Sequence, residues 1–460
     1  MNDTTPTRLS RASGDGRPAA PVRIVHVGLG NFFRAHQAWY TDKAPDAAEW
    51  GIAAFTGRSA AMADALNPQD GLYTLITRGA TDSFDVISSV SAVHPASDHE
   101  AWVGYWSSPE LAVVTLTVTE AGYMRGPGGA LDTSRQDVRD DIDALRADPH
   151  AAAVTAPGRI VSGYLARRAA GAGAIAIVPC DNLPDNGPAL QRVVDELVAA
   201  VDPTLADWAA ENVAFGTTMV DRITPATTEE HRASVLAALG VVDVSPVPTE
   251  PFSEWVISGE FPKGRPAWDA AGASIVDDVV PFEQRKLWLL NGSHSLLAYS
   301  GTIRGHETVA DAIGDPVNRA WVEEWWDEAS RHLTLPEADV VAYRRALLER
   351  FENPNIRHVL AQIAADGSQK IPVRIVPTLR AELAAGQVPA GATRAIAAWV
   401  CHLRGLGAPL KDARAGEVAP FGEGTLEESV EKALGFLGAD LAADERVVAA
   451  VVAHARTFSA

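Results

Sequence analysis

At 460 residues the chain exceeds what one ordinary core supports, so two domains are expected. Two cysteines, Cys180 and Cys401, with no CxxC pair exclude a disulfide framework and a cysteine-built zinc site, and fit a reducing cytoplasm. Thirty-nine basic against 59 acidic residues give a net charge of −20, which excludes nucleic acid and anionic membrane as partners and confines any anionic substrate to a locally basic pocket.

Residues 1–20, "MNDTTPTRLSRASGDGRPAA", are polar and interrupted by Pro and Gly, and read as a disordered tail rather than a signal peptide. No run of about eighteen apolar residues follows, so no membrane span is expected. A first domain is read over 21–280. It starts with the β-rich run Val22–Val27, which meets Gly28 and Gly30 before a helix-compatible segment led by Asn31 and Phe32. Strand, tight turn and helix N-terminus together present backbone N–H groups to a pyrophosphate. The third glycine of the dinucleotide fingerprint is absent, since Phe33 stands in its place. "GIAAFTG" at 51–57, the run from Leu111, "AIAIVPCDN" and "NVAFGTTMVD" read as further strands, with a helix over "RIVSGYLARRAAG". Strands alternating with helices predict a parallel, doubly wound sheet, with its ligand crevice beyond the carboxyl ends of the strands, where Gly28, Glu120 and Asn182 fall.

From about Val280 the pattern turns helical, with runs at Phe282–Tyr299, Val317–Leu333, Ala338–Phe351, Thr393–Leu403 and Leu426–Leu437. A second, mainly helical domain is therefore read over 281–460. Its opening stretch, "KLWLLNGSHSLL", sets Lys286, Asn291 and His294 into an apolar helix, with Glu283 just upstream. At about 100° per helical residue the four fall within roughly 140° of one another. Polar groups in a helix that is apolar all round are costly without partners, and four on one arc point to a functional cluster.

That cluster suits hydride transfer at an alcohol, which needs a base for the hydroxyl proton and donors for the developing alkoxide. No tyrosine has a lysine four residues on, so the Tyr-x-x-x-Lys arrangement is absent. A buried lysine can act as the base instead, because desolvation lowers its pKa toward neutrality. Lys286 is then the base, Asn291 the neutral clamp and His294 the group that orients a substrate hydroxyl.

Seven segments in order, "IVHVGLGNFFRAHQA", "TLTVTEAGY", "VPCDNLPDNG", "MVDRITP", "EPFSEWVI", "KLWLLNGSHS" and "ADGSQKIP", resemble the polyol-specific long-chain dehydrogenases, the mannitol dehydrogenase family. The resemblance covers essentially the whole chain after the tail. It implies a Rossmann-like N-terminal domain, a helical C-terminal domain, metal-independent hydride transfer, and NAD as cofactor. By the same resemblance Lys286 is the base, Asn182 and Asn291 stabilise the oxyanion, and Asp221 and His294 hold substrate hydroxyls. Glu283 gates proton exit, and Lys370 contacts the substrate. The implied partner is a small sugar or sugar acid, and the implied state a monomer or weak oligomer.

Two departures bear on specificity. Mannitol dehydrogenases carry an arginine eight residues before the position of Lys370, where this chain has Gln362, and the segment looks more like the fructuronate reductases of the family. If that segment is helical, Gln362 and Lys370 lie about two turns apart. The second departure is at the end of the second strand, where NAD-selective sites place an acid. This chain has Thr56, Gly57, Arg58 and Ser59, so NADP stays open beside NAD. The expected reaction interconverts D-mannonate and D-fructuronate. A mannitol 2-dehydrogenase, another hexitol or mannitol 1-phosphate dehydrogenase, and a catalytically silent dinucleotide sensor are the alternatives.

Overall fold

The computed structural model of the chain describes residues 6–459 and divides into two compact units, Met1–Val279 and Val280–Ala460. The first is built on six strands, β1 (Val22–Val27), β2 (Gly51–Phe55), β3 (Val90–His94), β4 (Val113–Leu116), β5 (Ile175–Pro179) and β6 (Val213–Phe215). All pair in parallel in the order β3-β2-β1-β4-β5-β6, which is the doubly wound dinucleotide-binding topology.

Strand side chains alternate faces, and here both faces are covered. Val25, Phe55, Val114 and Ile177 pack with Trp102, Trp106 and Tyr164 on one side of the sheet. Ile24, Ala54, Val113 and Val178 pack with Phe33, Tyr40 and Trp255 on the other. The helices used below are α1 (Asn31–Ala35), α2 (His99–Trp106) and α3 (Ala156–Ala170).

"NVAFGTTMVD" is two strands rather than one. After β6 the chain turns at Gly216 and continues as β7 (Thr217–Asp221), which pairs antiparallel with β8 (Glu254–Ser258) in a separate sheet. Gly216 is crowded by Gly259, which has a φ of +117° and room for no side chain there. The tail reading also needs correction. Met1–Thr5 lie outside the described residues, but Thr7–Arg8 pair in parallel with Val241–Val242 and Leu9 is fully buried. Arg11 donates to the carbonyls of Ser88 (2.8 Å) and Val90 (2.9 Å). Composition marked this segment as unable to form a core of its own; it folds by adding to a surface made elsewhere in the unit.

The second unit is helical. It opens with α4 (Val280–Arg285) and a wide segment over Lys286–Gly292, followed by α5 (Ser293–Ile303), α6 (Pro316–Ser330), α7 (Glu337–Phe351), α8 (Gly367–Arg374), α9 (Ala390–Leu403), α10 (Leu426–Leu437) and α11 (Glu445–Ser459). Helix α9 is buried from Ala395 to Leu403 and packs against α5, α6 and α11, as a helix apolar on every side must. Among the described residues no helix is long and apolar enough to cross a membrane.

Candidate active site

In the first unit the site grows from the turn after β1. Gly28 has a φ of +106°, and a Cβ there would lie 2.2 Å from the carbonyl oxygen of Thr117, so glycine is required twice over. The N–H groups of Gly28 and Leu29 both donate to the carbonyl of Phe55 at 3.0 Å, tying the turn to the end of β2. A buried chain of side chains fixes it from beneath. The Thr117 hydroxyl donates to the carbonyl of Gly28 (2.9 Å), and His26 Nε2 lies 3.0 Å from that hydroxyl oxygen. The hydroxyl has one proton, already given to Gly28, so Nε2 is the donor and Nδ1 accepts from Thr115 (2.8 Å). That is a neutral imidazole, in keeping with burial pushing the His26 pKa down to about 3.

Beyond the carboxyl ends of β1, β2 and β4 lies a cavity of about 660 Å³, in the range of small-molecule sites. Gly28 and Arg58 line it, together with Thr117, Val118 and Thr119 at the end of β4 and Arg159 of α3. Gly30, Asn31, Phe32 and Glu120 lie outside this lining. Gly30 is the extended N-cap of α1, whose first N–H groups have no partners within the helix. The Asn31 amide holds the carbonyl of Pro225 (3.1 Å) and accepts from Arg34 (2.7 Å), and the Phe32 ring stacks on His36 at 4.9 Å. Glu120 is exposed on a single 3₁₀ turn. A positive-φ glycine, a helix start and a cavity at the switch in strand order fit a dinucleotide.

Farther along the same sheet edge, Asn182 is exposed just past β5. Beside it Asp181 accepts from the Tyr123 hydroxyl, and burial lifts the Asp181 carboxyl to about 6. Asn186 locks α-helical and β-structure together: its Nδ2 donates to the Thr218 carbonyl (2.9 Å) and its Oδ1 accepts from the Thr218 N–H (3.0 Å). Asp221 ends β7 and is 6% exposed. Its neighbour Arg222 turns to the carbonyls of Ala35 and Glu250 and stacks over Trp39 at 4.6 Å.

In the second unit the polar cluster is not on a regular α-helix. Lys286–Gly292 forms a π-helical segment with i→i+5 bonding, so the rotation of about 100° per residue does not hold between Lys286 and Asn291. The packing explains the widening. Indole N–H groups of α6 donate to two carbonyls of this segment, Trp325 to Trp288 (2.9 Å) and Trp326 to Leu289 (3.0 Å). The Ser293 hydroxyl donates to Leu289 as well, at 2.6 Å. Arg374 of α8 holds the carbonyl of Asn291 at 3.2 Å and the hydroxyl of Ser295 at 3.3 Å. π-Turns are common at functional sites because they re-aim side chains within an otherwise rigid helix.

Gly292 permits this seat. A Cβ on it would lie 2.7 Å from Trp325 Cζ2 and 2.8 Å from Nε1. Gly292→Ala is therefore expected to lower stability by about 1–3 kcal/mol, read from the urea midpoint. An unchanged midpoint would show that Trp325 shifts at no cost.

His294 is 7% exposed, and its Nε2 is buried without a hydrogen-bond partner among the described residues. Its ring meets His358 edge-on at 4.9 Å and Phe351 at 5.2 Å. Burial pushes the His294 pKa well below its ordinary value, and His358, Arg350, Arg374 and Lys370 push in the same direction. Burial likewise takes His358 down to about 4, with Arg350 adding to the effect. Arg350 and His358 were not identified from the sequence. The signal is "ERFENPNIRH", which places one basic residue at the end of α7 and another in the following loop.

The relation between Gln362 and Lys370 also differs from a continuous helix. Gln362 is exposed on a single turn, Leu360–Ile363, and the chain then breaks at Asp366, which has a φ of +57°. Gly367 follows because a Cβ there would meet Trp399 Nε1 and the Tyr299 hydroxyl at 2.5 Å. Lys370 begins afresh on α8, and its Nζ donates to the carbonyls of Ile363 (3.0 Å) and Ala365 (2.6 Å). Two of its three N–H groups thus hold the break together. Burial lowers its pKa, and Arg374 adds to that.

The two neutral histidines predict a pH dependence of stability. Above about pH 6.5 they are neutral whether the chain is folded or unfolded, and contribute nothing. Below it the unfolded chain takes up protons that the folded chain refuses, so stability falls as pH drops from about 6.5 toward 4. For His358 alone the loss reaches on the order of 3 kcal/mol. His358→Gln should flatten that limb of a denaturation-against-pH curve; an unchanged limb would show that His358 titrates normally.

The mannitol dehydrogenase Rossmann domain matches residues 22–270, and the mannitol dehydrogenase C-terminal domain matches residues 278–457. D-Mannonate oxidoreductase of Escherichia coli is 40% identical over 395 residues, 84% of this chain and 80% of that protein. Mannitol 2-dehydrogenase of Aspergillus fumigatus is 37% identical over 370 residues, covering 77% and 73%. The structure of Pseudomonas fluorescens mannitol 2-dehydrogenase in ternary complex with NAD and D-mannitol superposes with a TM-score of 0.78 at 32% identity, covering 99% of this chain and 95% of that one. With both domain models matched in order and relatives of this similarity, the chain belongs to the mannitol dehydrogenase family and is an oxidoreductase of it.

Proposed function

We propose that the chain is an NAD-dependent dehydrogenase that interconverts a secondary alcohol of an open-chain aldonate with its keto acid, D-mannonate with D-fructuronate. Nicotinamide, when bound, supplies the hydride chemistry. The glycine turn, α1 and the cavity beyond β1, β2 and β4 would hold the dinucleotide. Lys286 takes the hydroxyl proton from the substrate. The amide N–H groups of Asn291 and Asn182 donate to the developing alkoxide, His294 and Asp221 hold substrate hydroxyls, and Glu283 passes the proton on.

The observation that carries the carboxylate is the surroundings of His294. Its buried Nε2 has no hydrogen-bond partner among the described residues, and the charges of Arg350, Arg374 and Lys370 reach its ring. Three cations beside one buried histidine, Arg350, Lys370 and Arg374, in a chain of net charge −20, suit an acidic substrate better than a neutral polyol. The likeness to a D-mannonate oxidoreductase supports the same reading.

A nicotinamide absorbance assay over fructuronate, tagaturonate, fructose, mannitol and arabinitol tests it. Fructuronate should be reduced with a kcat/KM about ten- to a hundredfold above that for fructose, the worth of one charge-assisted contact. Lys370→Met should narrow that gap. If fructose or mannitol is preferred, the mannitol 2-dehydrogenase reading replaces this one.

A further inference from the structure

The cavity beside the glycine turn has an unusual charge pattern. Its ionisable lining residues are Arg58, His99 and Arg159, and no aspartate or glutamate is among them. A site that selects NAD uses an acid at the end of the second strand to chelate the ribose 2′- and 3′-hydroxyls. Here β2 runs out through Thr56 and Gly57 into Arg58 and Ser59. Asp98 flanks the wall without lining it, and its carboxylate is taken by His94 (2.8 Å) and the N–H of Ala101 (3.1 Å).

Arg159 is the second, independent observation. It sits in the first turn of α3, is 6% exposed, and its Nη2 is buried with no hydrogen-bond partner among the described residues. The guanidinium carbon lies over the Trp102 ring (4.3 Å from its centroid) and the Phe55 ring (5.2 Å), at the carboxyl end of β2. Burial alone moves its pKa, down to about 10, with no acid opposing the shift, so it remains a cation at neutral pH. A buried guanidinium facing a cavity without a counter-ion is costly to keep, and the cost is recovered when an anion enters. The pyrophosphate is placed elsewhere, at the turn after β1 and the start of α1. The anion at the end of β2 is therefore on the adenosine ribose.

The geometry points to a 2′-phosphate site formed by Arg58, Ser59 and Arg159, so that the enzyme takes NADP(H) as well as NAD(H). This rests on the dinucleotide reading of the cavity, and fragments of the cofactor separate the two. Calorimetric titration of the full chain with 5′-ADP and with 2′,5′-ADP gives a ratio of dissociation constants that a purely structural change does not move. In the wild type 2′,5′-ADP should bind about tenfold more tightly than 5′-ADP. Arg58→Met and Arg159→Met should each bring the ratio close to one, mainly by weakening 2′,5′-ADP. Arg58 is exposed, so Arg58→Met decides the matter if Arg159→Met does not fold.

A wild-type ratio of one or less, with NADH still bound, overturns the 2′-phosphate site and leaves the dinucleotide reading standing. A ratio that Arg58→Met leaves unchanged overturns it equally. Failure of NADH, NADPH and both fragments to bind overturns the dinucleotide reading itself.

Discussion

Lys286→Ala should lower turnover by about three orders of magnitude or more while NADH titrates as in the wild type. The substitution removes the proton acceptor and also a positive charge that steadies the alkoxide. Nucleotide binding should persist because the glycine turn and the cavity of the first unit contain no residue beyond Arg159. The segment that carries Lys286 is anchored through backbone carbonyls by Trp325, Trp326 and Arg374, none of which depends on the lysine side chain. These anchors keep the segment in place, so the variant should fold with the wild-type circular dichroism. Near-normal turnover with the fold intact would remove Lys286 as the base, and with it the proposed mechanism.

Gly28→Ala is expected to abolish nucleotide binding and to destabilise the first unit. A φ of +106° costs an L-residue about 1–3 kcal/mol. The added Cβ would also overlap the Thr117 carbonyl oxygen at 2.2 Å, a backbone atom that cannot rotate away. Relief requires β1 and β4 to part at their carboxyl ends. That would break the Thr117 bond to Gly28 and the paired N–H bonds to Phe55 that shape the turn. Titration with NADH and a thermal melt check both effects. Binding within about threefold of the wild type would show that the turn is not the pyrophosphate cradle.

Much of the first unit was legible because its signals are local. Val22–Val27 is rich in β-branched residues, ends at a glycine and is followed by a helix-compatible segment, and the structure has β1 with the expected bounds. The run from Leu111 and the run through Ile175 became β4 and β5, though the former stops at Leu116, where Thr117 turns to bind Gly28. Strand β3 was overlooked. "VSAVH" is short, and the pairing with β2 that makes it a strand is a long-range contact. The segment Thr7–Arg8 escaped for the same reason, since its pairing partner lies more than two hundred residues away.

The sequence by itself determined the class of the chain. Alternating strands and helices, the Gly28 turn, the change to helical runs near Val280 and the set Lys286, Asn291 and His294 are all contained in short windows. Hydrophobic period and turn chemistry act at that range, so they can be read without coordinates. Tertiary structure decided whatever depends on groups distant in sequence. The π-helical segment exists where two tryptophans of α6 and Arg374 of α8 capture its carbonyls, and no residue within "KLWLLNGSHS" announces them. Lys370 is turned onto the carbonyls of Ile363 and Ala365 because the chain breaks at Asp366, where Gly367 must fit beneath Trp399. Arg159 looks like any helix arginine in "RIVSGYLARR", yet burial against Trp102 and Phe55 leaves its charge without an acid to meet it. Desolvation is a property of the packed whole: an arginine's letter is the same in either setting, and only the fold sets what its charge costs.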